Sequence, residues 1–338
     1  MSKARGLADL GNAYSDGALS NRNAVINGNF DVWQRGISQT SSSYGSDDRW
    51  ANYNFGSTKV ASQQGFALGQ TDVVGNPKYY SRTVVTSVAG AGNYVLKRQS
   101  IEGVTTFSGE TVTFTFWAKA DANKNIAVEF YQNFGSGGSP SGLVFLPSQT
   151  VFLTTSWGKH SLTFDIPSVS GETLGTDGND SLSFHFWFDA GSDYNSRTNS
   201  LGQQSGTFDI SQVQLEVGDT ATPFEHRSYG QELALCQRFY ETSGLGAGGN
   251  YEHHRIQTSS TMAFTCPPVR YKVTKRAIPT VTIYGANGVS GKISVIGTNY
   301  DYSAVYQSGA DQFSLYHQIS TGWFNYFIEY NWVADAEL

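Results

Sequence analysis

The sequence predicts an all-β protein built from antiparallel sheets, and three observations carry this prediction. Of its 338 residues 37 are Gly, aromatic residues make up 14%, and charged residues make up only 15%. Short segments in which apolar and polar residues alternate recur between turns rich in Gly, Ser and Asn. Because a strand that buries one face alternates with a period of two, we expect an antiparallel β-sandwich with few helices.

The chain begins with a polar segment, residues 1–23, whose only sizeable aliphatic side chains are Leu7, Leu10 and Leu19. Such a segment cannot bury a core by itself. We therefore expect another surface to hold it, either a neighbouring protein or its own adjoining domain.

Residues 24–227 read as a succession of strands and are predicted to form one sandwich domain. The segments 135–142 and 171–180 are rich in turn-forming residues and are predicted loops. The predicted strands cover residues 25–33, 50–55, 79–85, 94–100, 111–118, 126–134, 161–166, 182–188 and 208–216.

A single linking helix is predicted within residues 228–240, where Leu233, Cys236 and Phe239 could share an apolar face. Residues 241–338 then form a second, smaller β domain, with strands near 254–264, 280–284, 292–296, 312–318 and 324–332. A domain of this size buries proportionally less surface, so we expect it to depend on neighbouring subunits.

Charge and hydropathy exclude two classes of partner. The net charge of −6 leaves no basic surface for nucleic acid beyond the short cluster 269–276, which is predicted to be solvated. No window approaches the apolar length of a membrane span, and the first residues lack the apolar core of a signal peptide. Cys236 and Cys266 are expected to be buried free thiols of a protein made in a reducing cytoplasm, with a disulfide between them as the alternative.

No catalytic constellation stands out, so we expect neither enzymatic activity nor a cofactor. The six His residues are scattered, and the sequence lacks the spacings of a zinc protease, a serine hydrolase or a phosphate-binding loop. Paired carboxylates could still cleave polysaccharides. Asp47 and Asp48 are the best pair, but their position before Arg49 and Trp50 favours a structural use.

Strand alternation predicts one outward face with binding chemistry. Apolar residues of segments 111–118, 126–134 and 182–188 alternate with polar and aromatic ones. If these strands are neighbours, one face carries Trp117, Glu129, Tyr131, His185 and Trp187. Aromatic rings beside polar groups suit a sugar ring, which has an apolar CH face and hydroxyl groups around it. The same face could instead be covered by protein, since interfaces also use aromatic residues.

Four segments resemble bacteriophage tail-fibre and minor structural proteins. They are NGNFDVWQRG at 27–36, DDRW at 47–50, the junction QVQLEVGDTATPFEHRSYGQELALCQRFY at 212–240 and the final ADAEL. A further match is FTCPPVRYKVTKRAIPTVT at 264–282. This resemblance implies a virion protein, made in the host cytoplasm and attached to other virion proteins through residues 1–23.

The segments 111–120, 156–167 and 207–218 resemble three signature strands of jelly-roll carbohydrate-binding modules attached to polysaccharide hydrolases. This resemblance implies a jelly roll whose outward aromatic face stacks sugar rings. Such modules often carry a structural Ca²⁺ held by carboxylates and carbonyls. The candidate ligands here are Asp31, Asp47, Asp48 and Asp209.

The sequence therefore predicts a non-enzymatic tail fibre or fibre component that adheres to host-surface glycan. We expect it to form a homotrimer, which gains avidity from a repeated weak site. A capsid-decorating head fibre or tail adaptor without glycan binding is the first alternative. A polysaccharide depolymerase module is the second. A further possibility places the receptor contact in predicted loops of the second domain, around residues 251–255 and 299–306.

Overall fold

The computed structural model describes residues 21–244, 251–256, 263–295, 297–301, 304–306, 308–318 and 326–338. Every strand pairing in this part of the chain is antiparallel, which confirms the predicted all-β class. The residues group into two compact units: the first ends at Glu232 and includes Leu338, and the second runs from Leu233 to Glu337. Most of the predicted attachment segment, residues 1–20, lies outside the described residues.

The first unit is a sandwich of two sheets. The sheet order β10-β8-β12-β6-β3-β2, with β9 beside β8, is called the front sheet, and β1-β4-β5-β13-β7-β11 the back sheet. In chain order the strands are β1 (Ser38–Gln39), β2 (Ser43–Tyr44), β3 (Ala51–Phe55), β4 (Thr58–Gly65), β5 (Tyr79–Thr86), β6 (Tyr94–Glu102), β7 (Thr111–Ala120), β8 (Lys124–Asn133), β9 (Val144–Phe145), β10 (Gln149–Leu153), β11 (Gly158–Asp165), β12 (Ser181–Ala190) and β13 (Gly206–Val217).

Aromatic side chains from both sheets fill the space between them. Phe114 of the back sheet lies 4.7 Å from Phe184 of the front sheet, and Phe116 lies 4.9 Å from Phe186, measured between ring centroids. All four rings are buried, as the alternation in β7 and β12 predicts. Burial of each such side chain stabilises the fold by about 1.5–3 kcal/mol. This core therefore fixes which residues of each strand point outward.

The strand predicted at residues 25–33 is absent, and a turn takes its place. Asn27 and Phe30 have φ values of 57° and 56°, which a strand cannot accommodate. The Asn27 side chain closes the turn by accepting from the Val32 N–H at 3.0 Å and donating to the Val32 carbonyl at 2.8 Å. Phe30 still reaches the core and stacks on Trp50. The prediction of a strand at residues 25–33 is therefore wrong.

A helix at Tyr229–Gln237 occupies the predicted linking position, and Tyr240, expected in the helix, begins a strand instead. The second unit has its own core, which includes Phe313, Tyr330 and Trp332. Cys236 and Cys266 are buried and free, as predicted. The strands are β14 (Tyr240–Thr242), β15 (Glu252–Ile256), β16 (Ala263–Thr265), β17 (Val269–Arg270), β18 (Thr280–Gly285), β19 (Lys292–Val295), β20 (Thr298–Asp301), β21 (Ala304–Tyr306), β22 (Gln312–Gln318) and β23 (Tyr326–Asp335).

In this unit β23 pairs with β14, β15, β18 and β19, and β22 pairs with β16, β17 and β21. Across the part of the chain that the structure describes, no helix has the length and apolar character needed to cross a membrane.

Candidate functional site

The outward surface of the front sheet carries a pocket of about 310 Å³. Strands β3, β6, β8 and β12 supply part of its lining. The rest comes from residues 143–145, which include β9, and from the short helical segment at residues 194–197. The lining residues are Tyr53, Tyr94, Leu96, Arg98, Tyr131, Leu143, Phe145, His185, Trp187, Tyr194 and Arg197.

Strand alternation explains how the floor forms. In β12, Phe184, Phe186 and Phe188 point into the sandwich, so His185 and Trp187 point outward. Trp187 is only 1% exposed, because Tyr94 packs against one side of its ring at 5.8 Å and Tyr194 against another at 5.1 Å. Trp187 is therefore the floor of the pocket, while the less buried tyrosines form its walls.

Glu129 of β8 is fully buried beneath this floor and holds three pocket residues in place. Its carboxylate accepts from Nε and Nη2 of Arg197 at 2.9 and 2.7 Å. It also accepts from the indole Nε1–H of Trp187 at 3.1 Å and contacts Nδ1 of His185 at 3.1 Å. These donors occupy both carboxylate oxygens of Glu129. Glu129 therefore affects a bound ligand only by positioning the side chains of Arg197, His185 and Trp187.

The protonation states follow from these contacts. Burial alone would raise the pKa of Glu129, but hydrogen bonds from His185 and Arg197 bring that pKa below its usual value. Burial lowers the pKa of His185 to about 4, although Glu129 opposes that shift. At neutral pH the pocket thus has an ionised Glu129 and a neutral His185, whose proton lies on Nδ1 where it can be donated to the carboxylate.

Two arginines reach the pocket from different elements. Arg197, from the short helix Asn195–Thr198, lies 4.0 Å above the Phe145 ring and 5.2 Å from the Trp187 ring. Arg98, on β6, donates to the hydroxyls of Tyr131 at 3.3 Å and Tyr53 at 3.0 Å. It also donates to the main-chain oxygen of Leu338, the last residue of the given sequence, at 3.2 Å. The site therefore combines aromatic faces with guanidinium donors.

Of the five residues expected on one face, the structure brings Glu129, Tyr131, His185 and Trp187 together and separates Trp117 from them. Strand register explains why these four residues lie together: β8 and β12 are paired, and Glu129 of β8 lies opposite His185 of β12. Trp117 belongs to β7, which pairs with β11 and β13 in the back sheet. Its side chain lines a different cavity of about 400 Å³, together with Thr115, Lys159, Phe224 and His226. The expectation of a shared face is corrected for Trp117.

Sequence reasoning missed Tyr53, Tyr94, Arg98, Tyr194 and Arg197. A signal existed for β6, where Tyr94, Leu96 and Arg98 alternate with core residues, but using it required knowing that β6 pairs with β12. Tyr194 and Arg197 lie in a short helical segment with no alternation to read. Their role depends on contact with strands distant in sequence.

The four candidate calcium ligands are engaged separately. Asp47 is buried and pairs with Lys97, while Asn52 donates to it at 2.7 Å. Asp209 accepts two hydrogen bonds from Arg82, at 2.8 and 2.9 Å.

Asp48 accepts from the Gln34 N–H at 2.9 Å, and Asp31 from the Asn29 amide at 2.8 Å. Burial raises the pKa of Asp31. Within the described ranges, no three His, Cys, Asp or Glu side chains come together as a metal site. The four carboxylates therefore do not come together as one ligand set, and a structural calcium stays a prediction.

Asp47 and Asp48 are also poorly placed for glycoside cleavage. They are 0% and 1% exposed, and the Lys97 and Gln34 contacts occupy their oxygens.

The second-unit segments that were predicted to be receptor-binding loops are mostly strands. Residues 252–256 form β15, and residues 299–306 include parts of β20 and β21, with 302 and 303 outside the described residues.

No protein-family model and no curated protein matches this chain. Among solved structures, a carbohydrate-binding module described as "CBM4 structure and function" matches at 18% identity and a TM-score of 0.32, covering 57% of this chain and 98% of that one. The xylan-binding domain CBM22-2 of Paenibacillus barcinonensis Xyn10C matches at 15% identity and a TM-score of 0.32, covering 50% and 92%.

The enzymatically active domain of tailspike protein 4 from bacteriophage CBA120 matches at 12% identity with a TM-score of 0.34. That match covers 58% of this chain but only 22% of the tailspike chain. At these identities and TM-scores, the ligand has to be argued from the pocket itself.

Proposed function

We propose that this chain binds host-surface carbohydrate through the front-sheet pocket, as a non-enzymatic component of a bacteriophage virion. The observation that carries the proposal is the combination of partly exposed aromatic rings with guanidinium donors in one preformed pocket. The proposal replaces the five-residue face expected from sequence with the pocket that Glu129 organises.

The chemistry of a pyranose fits this pocket. Its CH face packs favourably on an aromatic ring, and its hydroxyl groups both donate and accept hydrogen bonds. Tyr53, Tyr94 and Tyr194 are partly exposed and offer ring faces, and Phe145 is 40% exposed at the rim. Arg197 has N–H groups beyond the two bound to Glu129 and can donate to sugar oxygens.

The fixed arrangement of the pocket favours binding over catalysis. Glu129 is the one carboxylate in contact with the lining residues Arg197, His185 and Trp187 among the described residues, and it lies beneath the surface with both oxygens occupied. A glycosidase needs an acid and a base that can reach the glycosidic bond. The non-enzymatic part of the proposal rests on the burial of Glu129, whose occupied oxygens cannot reach a glycosidic bond.

The virion part of the proposal rests on the segments at 27–36, 47–50 and 212–240 that resemble phage fibre and minor structural proteins. Attachment through residues 1–23 and trimerisation belong to the same proposal. A trimer would present three copies of one pocket, so that weak single-site binding becomes strong attachment by avidity.

The test compares two aromatic substitutions on opposite sheets. Tyr194→Ala removes a pocket wall and is expected to weaken oligosaccharide binding about tenfold, because the loss of stacked aromatic area corresponds to about 1.4 kcal/mol. Trp117→Ala lies on the back sheet and should leave affinity unchanged. A glycan array would identify ligands, and calorimetry on the full chain would then give the affinities, with circular dichroism as the fold control.

Loss of binding only in the Trp117→Ala protein would move the site to the back sheet. If the wild-type chain binds no glycan in the array, the adhesion proposal is wrong. The structural alternative, a fibre whose pocket is filled by another virion protein, would then take its place; Leu143 at 52% exposure supplies an apolar rim for such a partner.

A further inference from the structure

We propose that a second pocket of the first unit binds an organic ammonium group, held between three aromatic rings and the carboxylate of Asp31. This pocket has a volume of about 530 Å³ and shares no lining residue with the front-sheet pocket. Its volume suits a small ligand such as an amino sugar or choline. The inference is independent of the glycan-binding function proposed above, since it concerns other residues and another ligand group.

The aromatic walls of this pocket come from three elements. Trp33 belongs to the segment that replaces the predicted first strand, Tyr79 begins β5, and Tyr229 begins the helix. Trp33 is held in place because its indole Nε1–H donates to the Phe30 carbonyl at 2.6 Å. Trp33 and Tyr79 are partly buried, while Tyr229 is 60% exposed. Because the faces of such rings attract a positive charge, the walls favour a cation over a neutral ligand of the same shape.

Asp31 supplies the negative charge of this pocket and is the one Asp or Glu among its lining residues. One oxygen of Asp31 accepts from the Asn29 amide at 2.8 Å. In the part of the chain that the structure describes, Asp31 forms no ion pair with a Lys, Arg or His side chain, in contrast to Asp47 and Asp209. Because Asp31 is partly buried, water solvates its charge incompletely, and a cationic ligand in contact with it would be stabilised.

Lys78 indicates that the pocket attracts an ammonium group. Its Nζ lies 4.9 Å from the centroid of the Tyr79 ring. The Tyr79 hydroxyl raises the pKa of Lys78, and the charge of Asp31 and the nearby Tyr229 hydroxyl act in the same direction. Lys78 is exposed, so its flexible side chain can move into solvent when a ligand enters. We therefore interpret the Lys78 ammonium as a weak internal competitor for this pocket.

An organic cation fits this pocket better than a metal ion does. A calcium ion takes about six to eight oxygen ligands, whereas the pocket offers one carboxylate beside apolar ring faces. A primary ammonium on an amino sugar can donate to Asp31, and the quaternary ammonium of choline can pack on the rings. The positive charge on nitrogen is common to both ligands.

The experiment uses two pairs of ligands that differ in charge. Calorimetry on the full chain compares choline with dimethylbutanol, its uncharged carbon analogue, and glucosamine with N-acetylglucosamine. We expect at least one ammonium ligand to bind about tenfold more tightly than its neutral counterpart. A preference for choline identifies a quaternary ammonium as the ligand group, and a preference for glucosamine identifies a primary one.

Three variants assign the preference to this pocket. Asp31→Asn keeps the shape of the side chain and should lower the affinity for the ammonium ligand about tenfold, with the neutral ligand within about threefold. Tyr229→Ala removes an exposed ring without opening the core and should lower that affinity about threefold. Lys78→Met removes the internal competitor and should raise it about threefold, which a purely structural role of Asp31 does not predict. The matched control is Tyr306→Ala, because Tyr306 is 49% exposed and lies outside this pocket.

The outcomes separate this inference from the proposed function. Equal affinity within both ligand pairs, or a preference that survives in Asp31→Asn, overturns the ammonium site. A preference that is lost in Tyr194→Ala instead would place the ammonium group in the front-sheet pocket and overturns it as well. If the wild-type chain binds choline or glucosamine through Asp31 but no glycan on the array, the adhesion proposal is wrong and the ammonium site stands.

Discussion

Glu129 is the residue on which the geometry of the pocket depends. It is buried, yet it is ionised because Arg197, His185 and Trp187 all direct hydrogen-bond donors at it. A buried carboxylate without such partners would be unfavourable by several kcal/mol. The same contacts fix the orientation of three side chains that line the pocket. Glu129 does not reach the ligand itself, but it positions Arg197, His185 and Trp187.

His185 makes the stability of the sandwich depend on pH. Burial lowers its pKa from 6.5 to about 4 in the folded protein. Between these values the unfolded chain binds more protons, so the free energy of unfolding falls as pH drops from about 6.5 to about 4. The contribution of His185 lost by pH 4.5 is expected to be about 2 kcal/mol.

Urea unfolding at pH 7 and pH 4.5 measures this effect. His185→Gln keeps a donor for Glu129 but cannot titrate, so its loss of stability between the two pH values should be smaller than that of the wild type by about 2 kcal/mol. An equal loss in both proteins would mean that other groups, such as Glu129 itself, account for the acid sensitivity.

At the scale of elements, a bulge in β13 contacts the turn around Asn27, which lies where the first strand was predicted. The register of β13 against β7 shifts between Ser211 and Gln214, and Gln212 adopts a φ of 49°. The bulge turns the Val213 N–H toward the Gly28 carbonyl, at 2.9 Å. An irregularity in one strand thereby anchors a segment far away in sequence.

Gly28 is required at this contact because nothing larger fits. A Cβ on Gly28 would lie 2.1 Å from the Val213 carbonyl oxygen, a backbone atom that cannot move independently. Gly28→Ala is therefore expected to reduce the free energy of unfolding by about 1–3 kcal/mol. Chemical denaturation measures the change. Gly142→Ala, where no atom lies within 4 Å of the added Cβ, is the control and should stay within about 0.5 kcal/mol. Equal stability of both variants would show that the β13 contact relaxes without cost.

At the scale of the molecule, each unit has a core of its own, and the pocket is lined only by residues of the first. Phe313 belongs to the core of the second unit, where its ring lies 5.5 Å from Trp332. Phe313→Ala is expected to destabilise that unit by about 3–5 kcal/mol through loss of buried area and the cavity left behind. The affinity for a glycan ligand should remain within about twofold.

Phe184→Ala is the matched substitution in the sandwich core and should lower both the stability of the first unit and glycan affinity. Thermal unfolding combined with calorimetric titration distinguishes the two variants. A marked loss of affinity in Phe313→Ala would show that binding also depends on the second unit, as the alternative receptor contact at residues 251–255 requires.

The sequence by itself determined the all-β class and the inward and outward sides of β7, β8 and β12. This was possible because side chains in a strand alternate with a period of two, whatever the strand pairs with. Val112, Phe114 and Phe116 face the core as their alternation requires, and His185 and Trp187 face outward. The turn at Asn27 escaped prediction because the spacing of apolar residues does not reveal a left-handed backbone, even where one of those residues, Phe30, is apolar.

Only the tertiary structure decided which outward residues share a face. Although β7 and β8 follow one another in the chain, they lie in opposite sheets, which separates Trp117 from Tyr131. The pocket depends on long-range contacts: Arg98 meets Tyr53 across 45 positions, and Arg197 meets Glu129 across 68. Alternation sets the side of a strand on which a residue lies, but sheet membership is set by pairing between distant segments, and this pairing places two arginines beside the aromatic rings.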